Sequence, residues 1–384
     1  MLIASHPFYT GLLTPGEGLR QPASLPFELV VDERLALPRL VLTDVIRDAL
    51  TQAYAVGSMA STPLGESDLA SVRMRELIAQ LLDLNGGTLQ GRTLLEVGCG
   101  NGELLNQLRH LGAVVTGLEI GPQAQVVEDR YGIRVIREPL AAGSLDERFD
   151  CILSYGCLEH IEDLEGFFAA SRSCLNEHGL FLHSVPNAAL GFERGALDQL
   201  LHEHINYFTP PNALAVLTAA GFRDVGAVPT RAGNELMLWG HSRAGTPARW
   251  PSEGADEQVA LLDDFAGRLQ QRVHATVAWL RGVTARGETV AFYAGGFEYG
   301  FHLADPAVRF VDGDDYKHGK QWLPGLRPIE APEQLLAHPV DYVVVCKPHY
   351  GAPIRAGLTR LGVDPRSLVD IDALAQASGR NGEL

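Results

Sequence analysis

The sequence predicts an α/β fold: a doubly wound, mostly parallel sheet with a small region before it and a second, smaller α/β unit after it. Three observations lead there. Short apolar strands alternate with helical segments from Thr93 onward. The strand Thr93–Val97 runs into glycines at alternate positions, Gly98, Gly100 and Gly102. The alternation resumes after a stretch rich in Gly, Pro and charge at 242–256. Strand–helix alternation of this kind puts crossover helices on both faces of a parallel sheet.

The elements follow in order. Residues 1–66 carry Pro and Gly early, then apolar runs at 27–31 and 35–43. An amphipathic helix over 67–84 sets Leu69, Val72, Leu77, Leu81 and Leu84 on or near one face. Strands are expected at 93–97, 114–119, 134–138, 149–154 and 180–185, with a helix at 164–175 ended by Asn176-Glu177-His178-Gly179. A helix over 210–221 stops at Gly221, and 236–241 is a late strand. A long helix at about 256–286 leads to strands at 289–293, 308–311 and 341–346. The domain division is therefore 1–66, 67–245 and 256–384.

Composition narrows the function. With 384 residues, 46% apolar and 20% charged, the chain is an ordinary globular protein of two or three domains. A net charge of −16 disfavours nucleic acid as a partner. No run of about eighteen apolar residues suggests a membrane span, and the first ten residues lack the pattern of a secretion signal. The five cysteines, Cys99, Cys151, Cys157, Cys174 and Cys346, are scattered and odd in number. They read as buried thiols in a reducing cytoplasm, not as a zinc ribbon or a disulfide framework.

The glycine run carries the chemistry. Glycines there let the backbone turn sharply against a ligand and free the amides at the start of the next helix. Glu119, ending the second strand, is placed to accept two ribose hydroxyl bonds. A dinucleotide loop needs G-x-G-x-x-G, but three residues after Gly100 stands Glu103, whose charge opposes a pyrophosphate. A cationic sulfonium nucleoside tolerates it. A tight turn without a ligand is the plain alternative.

The pattern Glu96-x-Gly98-x-Gly100-x-Gly102 followed by Glu119 resembles the S-adenosylmethionine site of class I methyltransferases, a Rossmann-like fold. That resemblance implies S-adenosylmethionine as cofactor, with Ile120, Leu140, Tyr155, Glu159 and His160 completing its pocket. A loop-stabilising role is the alternative for Glu159-His160. The run His202-Glu203-His204-Ile205-Asn206-Tyr207-Phe208-Thr209 resembles a segment of nucleotide-sugar C-methyltransferases, which act on dTDP-4-keto-deoxyhexoses. Tyr54-Ala55-Val56-Gly57-Ser58 with Ser61, and Asp312-Gly313-Asp314-Asp315-Tyr316-Lys317-His318-Gly319-Lys320 with Leu323-Pro324-Gly325, also resemble that family.

The resemblance implies a sugar nucleotide as methyl acceptor, with Tyr54, His202, Asn234, Asp312 and Lys317 on the substrate. His204 is the expected general base, beside Glu203 and Tyr207. If the segment is a strand, His202 and His204 share a face. A structural histidine, a core tyrosine and solvated surface lysines are the alternatives for His204, Tyr207 and Lys317.

The departures from that family are specific. No cysteine precedes Cys99, so its amino-terminal zinc is not expected. Leu201 replaces a tyrosine, Ala232-Gly233-Asn234-Glu235 loses a histidine, and Phe292 to Gly300 lacks a lysine. No metal is expected, since H-E-H is not a usual zinc spacing, although His183, His202, His204 and Glu203 were weighed as a set. O- or N-methylation of another metabolite, and a noncatalytic sugar-nucleotide-binding scaffold, stand beside C-methylation. An NAD-dependent oxidoreductase is disfavoured by the loop spacing, and oligomeric state is left open.

Overall fold

A computed structural model describes residues 1–16, 21–57, 63–141, 143, 145–243, 250, 254–299 and 308–377. The expected positions Ser58, Ser61 and Gly300, most of the 242–256 stretch and the side chain of Leu69 lie outside the described residues. The chain forms two compact units. One comprises 29–189 and 203–260; the other gathers 1–28, 190–202 and 261–384.

Near the amino terminus β1 (Leu2–Pro7) pairs antiparallel with the first half of β2 (Ser24–Asp32). The second half of β2 pairs with β3 (Leu37–Leu40), Leu29 facing Leu40. Helix α1 (Asp44–Ala55) starts at Thr43, whose hydroxyl accepts the Ile46 amide. Helix α2 (Asp68–Leu84) starts likewise at Ser67. Its buried face carries Met74, Leu77 and Leu81, while Val72 is exposed.

The 29–189/203–260 unit then alternates β4 (Thr93–Val97), α3 (Glu103–His110), β5 (Val114–Leu118), α4 (Gln123–Tyr131), β6 (Val135–Ile136), β7 (Phe149–Tyr155), α5 (Leu164–Cys174) and β8 (Leu175–Pro186). Helix α6 (Ala188–Arg194) begins here but lies mostly in the 190–202 segment of the other unit; α7 (Pro210–Ala219), β9 (Arg223–Pro229) and β10 (Glu235–His241) complete this one. The seven-stranded sheet runs β6-β5-β4-β7-β8-β10-β9, with β10 antiparallel to both neighbours and the other pairs parallel.

Strand alternation sorts the core into two layers. Leu95, Val97, Ile152, Phe181 and Val185 face one cluster with α5 and α7. Leu94, Cys151, Leu153, Leu180 and Leu182 face the other with α2 and α3. Burying each such side chain stabilises the fold by about 1.5–3 kcal/mol.

Two expectations change here. The break at Asn176–Gly179 is not a loop after the helix, because β8 already begins at Leu175 and the kink lies inside it, at His178 with φ 62°. Strand β9 was not expected; its glycine and two turn-prone residues hid a strand that β10 supports through register pairs from Leu236–Pro229 to His241–Arg223.

The other unit contains most of α8 (Ala255–Ala285), then β11 (Val290–Tyr293), β12 (Arg309–Val311), β13 (Ile329–Glu330), α9 (Gln334–Ala337), β14 (Tyr342–Val345), α10 (Gly351–Leu361), β15 (Leu368–Asp370) and α11 (Ile371–Ala377). Its all-parallel sheet runs β13-β12-β11-β14-β15. The short strands β13 and β15 were not expected; two or three residues leave no period to read.

Candidate functional site

The glycine run forms the bend between β4 and α3. Gly98, Gly100 and Gly102 all have positive φ, at 68°, 49° and 76°. Two of them also lack room for a side chain. A Cβ at Gly98 would meet Cys157 Sγ at 3.0 Å, and one at Gly102 would meet Val127 at 2.8 Å. The segment before α2 covers the bend, since Asn101 Nδ2 donates to the Leu64 carbonyl at 2.9 Å. Glu103 opens α3 and is engaged by Tyr131 and Gln107, at 2.6 and 2.7 Å.

Glu119 stands just beyond β5, and its carboxylate accepts the Gly100 amide at 3.1 Å and the Gly121 amide at 2.7 Å. Those bonds hold both oxygens beside the bend while the residue stays half-buried. Glu96 is 2% exposed, and its Oε2 has no partner among the described residues. Burial pushes its carboxyl well above the usual range, the charge of Glu119 adds to this, and the Leu105 amide opposes it. An orphaned buried carboxyl, a fixed acidic rim and a bend with no room for Cβ atoms suit the polar nucleoside end of a cofactor. Ile120 beside them is exposed at 61%, whereas Leu140 is buried in the core layer of α5 and α7.

A second cluster forms where the 158–161 turn meets the segment after His202. The Glu159 carbonyl accepts the amides of Ile205 and Asn206, at 2.8 and 3.0 Å. Asn206 clamps the turn further, donating to the Ile161 carbonyl at 2.7 Å and accepting from Arg39 Nε at 2.9 Å. Strand β3 holds the far side, with Leu40 N on the Ile205 carbonyl and Tyr207 N on the Pro38 carbonyl. Asn206 was not singled out from the sequence, though an asparagine inside an otherwise apolar and histidine-rich run was the available signal.

These bonds bring Glu159, His160, Glu203 and His204 together with Tyr54. His160 Nδ1 donates to the Glu203 carbonyl at 2.8 Å, and its Nε2 lies 3.8 Å from Glu159 Oε1. The His160 and His204 rings meet edge to face at 5.2 Å. The Tyr54 hydroxyl is 3.4 Å from His160 Nδ1.

Burial lowers His160 to about 4, against the carbonyls of Glu203 and Gly156, so the ring is neutral. Glu159 is raised to about 8 by burial, with its own amide opposing and Glu235 adding. Burial and then the Glu159 charge push Glu203 well above the carboxylate range. Tyr54 rises through burial first and then through Glu203.

The remaining expected residues lie elsewhere. The 201–206 segment is a turn and not a strand, so His202 and His204 do not share a strand face. His202 is fully buried among His6, Phe8 and Phe27, with Nε2 donating to the Pro26 carbonyl at 3.3 Å. That ring is taken up by packing. His183 is bonded to Ser154 Oγ at 2.5 Å, and among the described residues the metal-ligating donors that come within reach of one another are those of Glu159, His160 and His204. Tyr155 donates to Glu235 Oε1 at 2.6 Å, and Arg73 pairs with the same oxygen at 3.0 Å. Tyr207 is buried, and the Asn234 carbonyl accepts the Asn187 amide. In the 261–384 region Lys317 pairs with Asp312 at 2.8 Å, so its charge is answered within the protein.

Residues 70–226 match the family model described as "Methyltransferase domain". The match spans 157 of the 384 residues. The bend, Glu96 and Glu119 fall inside the matched residues, as do the Glu159–His160 turn and His204.

Among curated relatives, the ubiquinone biosynthesis O-methyltransferase of Methylobacterium sp. (strain 4-46) is 29% identical over 150 residues. That of Azorhizobium caulinodans is 31% identical over 151 residues. Each match covers 35% of this chain and 60% of the relative, so the chain spans about three fifths of the length of these relatives. Among solved structures, 1,6-didemethyltoxoflavin-N1-methyltransferase of Burkholderia thailandensis is 20% identical, with a TM-score of 0.40 over 57% of this chain and 95% of that one.

Proposed function

We propose that this chain transfers the methyl group of S-adenosylmethionine to a polar small molecule, with a nucleotide sugar as the first acceptor class to test. One observation carries the reading: the Glu119 carboxylate is held by loop amides at the rim of a bend where Gly98 and Gly102 leave no room for side chains. The cofactor supplies an electrophilic methyl group on a sulfonium. The protein binds its polar end through Gly98, Gly100, Gly102, Glu96 and Glu119. Ile120, Leu140, Tyr155, Glu159 and His160 are assigned to the same pocket.

His204 is assigned to activate the acceptor as a general base, with Glu203 and Tyr207 on the same segment. Tyr54 and Asn234 are assigned to the substrate; Asp312 and Lys317, a mutually neutral pair within their own unit, are assigned by themselves to binding a diphosphate. His202 leaves the set because its ring is spent on packing. The divisions 1–66, 67–245 and 256–384 are kept as proposed. A cytoplasmic setting is supported by the five free thiols.

The second reading is O-methylation of a different metabolite. Relatives named as O-methyltransferases favour it, as does the loss of family residues at Leu201 and at Ala232 to Glu235. Calorimetry with S-adenosylhomocysteine tests the donor half; no binding by folded protein at millimolar ligand ends it. Transfer from a labelled donor, followed by acid hydrolysis, separates a new carbon–carbon bond from an ether or ester.

A further inference from the structure

We propose that Glu159, His160 and His204 form a site for one divalent transition-metal ion, which takes an oxygen of the methyl acceptor as a further ligand. One donor atom from each residue lies within 4.8 Å of the others. The pair fixed best is Glu159 Oε1 and His160 Nε2, at 3.8 Å. Donors on one zinc-sized ion, with bonds of about 2.1 Å, sit roughly 3.4 Å apart. The fixed pair is therefore close to that spacing, and no donor pair exceeds it by more than about 1.4 Å. Both imidazoles are half-buried.

Two further observations point to a ligand. The first is the tautomer of His160. Its Nδ1 carries the proton because a carbonyl, that of Glu203, accepts from it at 2.8 Å. The Nε2 lone pair therefore stands 3.8 Å from a Glu159 carboxyl oxygen, too far for the two to hydrogen-bond directly. A backbone carbonyl holding the second nitrogen of a ligating histidine is the usual outer shell of a metal site. The second is Glu159 itself. It is 3% exposed, and its Oε2 has no hydrogen-bond partner among the described residues. A cation bound beside Nε2 takes the place of the carboxyl proton and uses the Glu159 oxygens and the His160 lone pair as ligands.

Two imidazole nitrogens and one carboxylate oxygen select zinc, cobalt, manganese or iron over magnesium and calcium, which prefer all-oxygen sets. Three protein ligands also leave coordination positions open, the arrangement found in catalytic rather than structural sites. The site stands without the methyl-transfer reading, but the acceptor oxygen as an added ligand rests on it. The activation assigned above to His204 is then exerted through the ion, which lowers the acceptor's pKa.

The experiment uses the full, untagged chain, stripped with chelator and titrated with Zn²⁺ by calorimetry and with Co²⁺ by visible absorption. The expected result is one ion per chain, with a cobalt spectrum of four- or five-coordinate N/O ligation. His204→Ala and Glu159→Gln should each weaken Zn²⁺ by about 100-fold or more, beyond the 10–100-fold that outer-shell partners command. His274→Ala, at an exposed histidine on α8, should bind as the parent does.

No saturable Zn²⁺ binding at millimolar concentration overturns the site, and so does His204→Ala binding as tightly as the parent. S-adenosylhomocysteine titrated in parallel keeps the two readings apart. Donor binding without metal sinks the cation alone; metal without donor binding sinks the methyl-transfer reading alone.

Discussion

The carboxylate of Glu119 accepts the backbone amide of Gly100 at 3.1 Å, joining the residue after β5 to the bend after β4. Because β4 and β5 are parallel neighbours, the bond fixes the two strand ends that a nucleoside would bridge. Glu119→Gln keeps the shape but removes the charge. Its affinity for S-adenosylhomocysteine should fall about 10-fold or more, for loss of about 1.5–3 kcal/mol in charged hydrogen bonds. Its melting temperature should stay close to the parent's. Gly98→Ala should lose both affinity and stability, by about 1–3 kcal/mol, since φ is 68° and Cys157 fills the space. Calorimetry beside thermal melting distinguishes the two patterns.

The His204 ring meets His160 edge to face, whereas the Gly100 amide of the bend is held by Glu119. His204→Ala should therefore lower kcat by about 100-fold or more while changing cofactor affinity by only a few fold. Single-turnover rates and donor titrations on the same preparation check this. Equal losses in both would remove its place at the acceptor.

Asp150 ties three strands at the opposite end of the sheet. Its Oδ2 accepts the Thr93 amide and hydroxyl at 2.9 and 3.1 Å, and Oδ1 accepts Asn176 Nδ2 at 2.9 Å. Burial would raise this carboxyl, yet the bonds from Thr93 and Asn176 outweigh it and hold it below its usual value. Asp150→Ala should cost about 2–3 kcal/mol in chemical denaturation. Cofactor affinity of the folded fraction should not change.

His183 provides a pH signature. Burial lowers its pKa to about 3 from an ordinary value near 6.5. Below pH 6.5 the unfolded chain binds a proton that the folded chain refuses. Stability from this group is thus complete above pH 6.5 and falls as pH drops towards 3, at about 1.4 kcal/mol per unit. In His183→Gln that slope should shrink by one proton between pH 4 and 6. Denaturation midpoints across that range decide it.

Arg272, on α8, is 7% exposed at its side chain and reaches Asp372 at 2.6 Å, the Arg194 carbonyl at 3.2 Å and the Tyr299 hydroxyl at 3.3 Å. Arg272→Met should destabilise its unit by about 2–4 kcal/mol, removing the partner it gives the half-exposed Asp372, the Arg194 carbonyl and the buried Tyr299. Arg272→Lys should not restore it, because a point charge lacks the guanidinium's fan of donors. Urea unfolding followed by Trp fluorescence reads both variants.

The sequence alone determined the parts of this protein whose signal is local. Strand β4 ends where its apolar run meets Gly98, and α2 begins at Ser67, because a period of two or of 3.6 and a capping side chain are written in consecutive residues. The glycine bend and Glu119 were legible for the same reason: a positive φ calls for glycine, and a strand end places the next side chain. Only the tertiary structure decided which groups meet across the chain. The turn at 201–206 separates His202 from His204, and long-range bonds from Glu159 and Asn206 carry His204 to His160. Strands β9, β13 and β15 exist because neighbours complete their hydrogen bonds, a condition that no short segment encodes by itself.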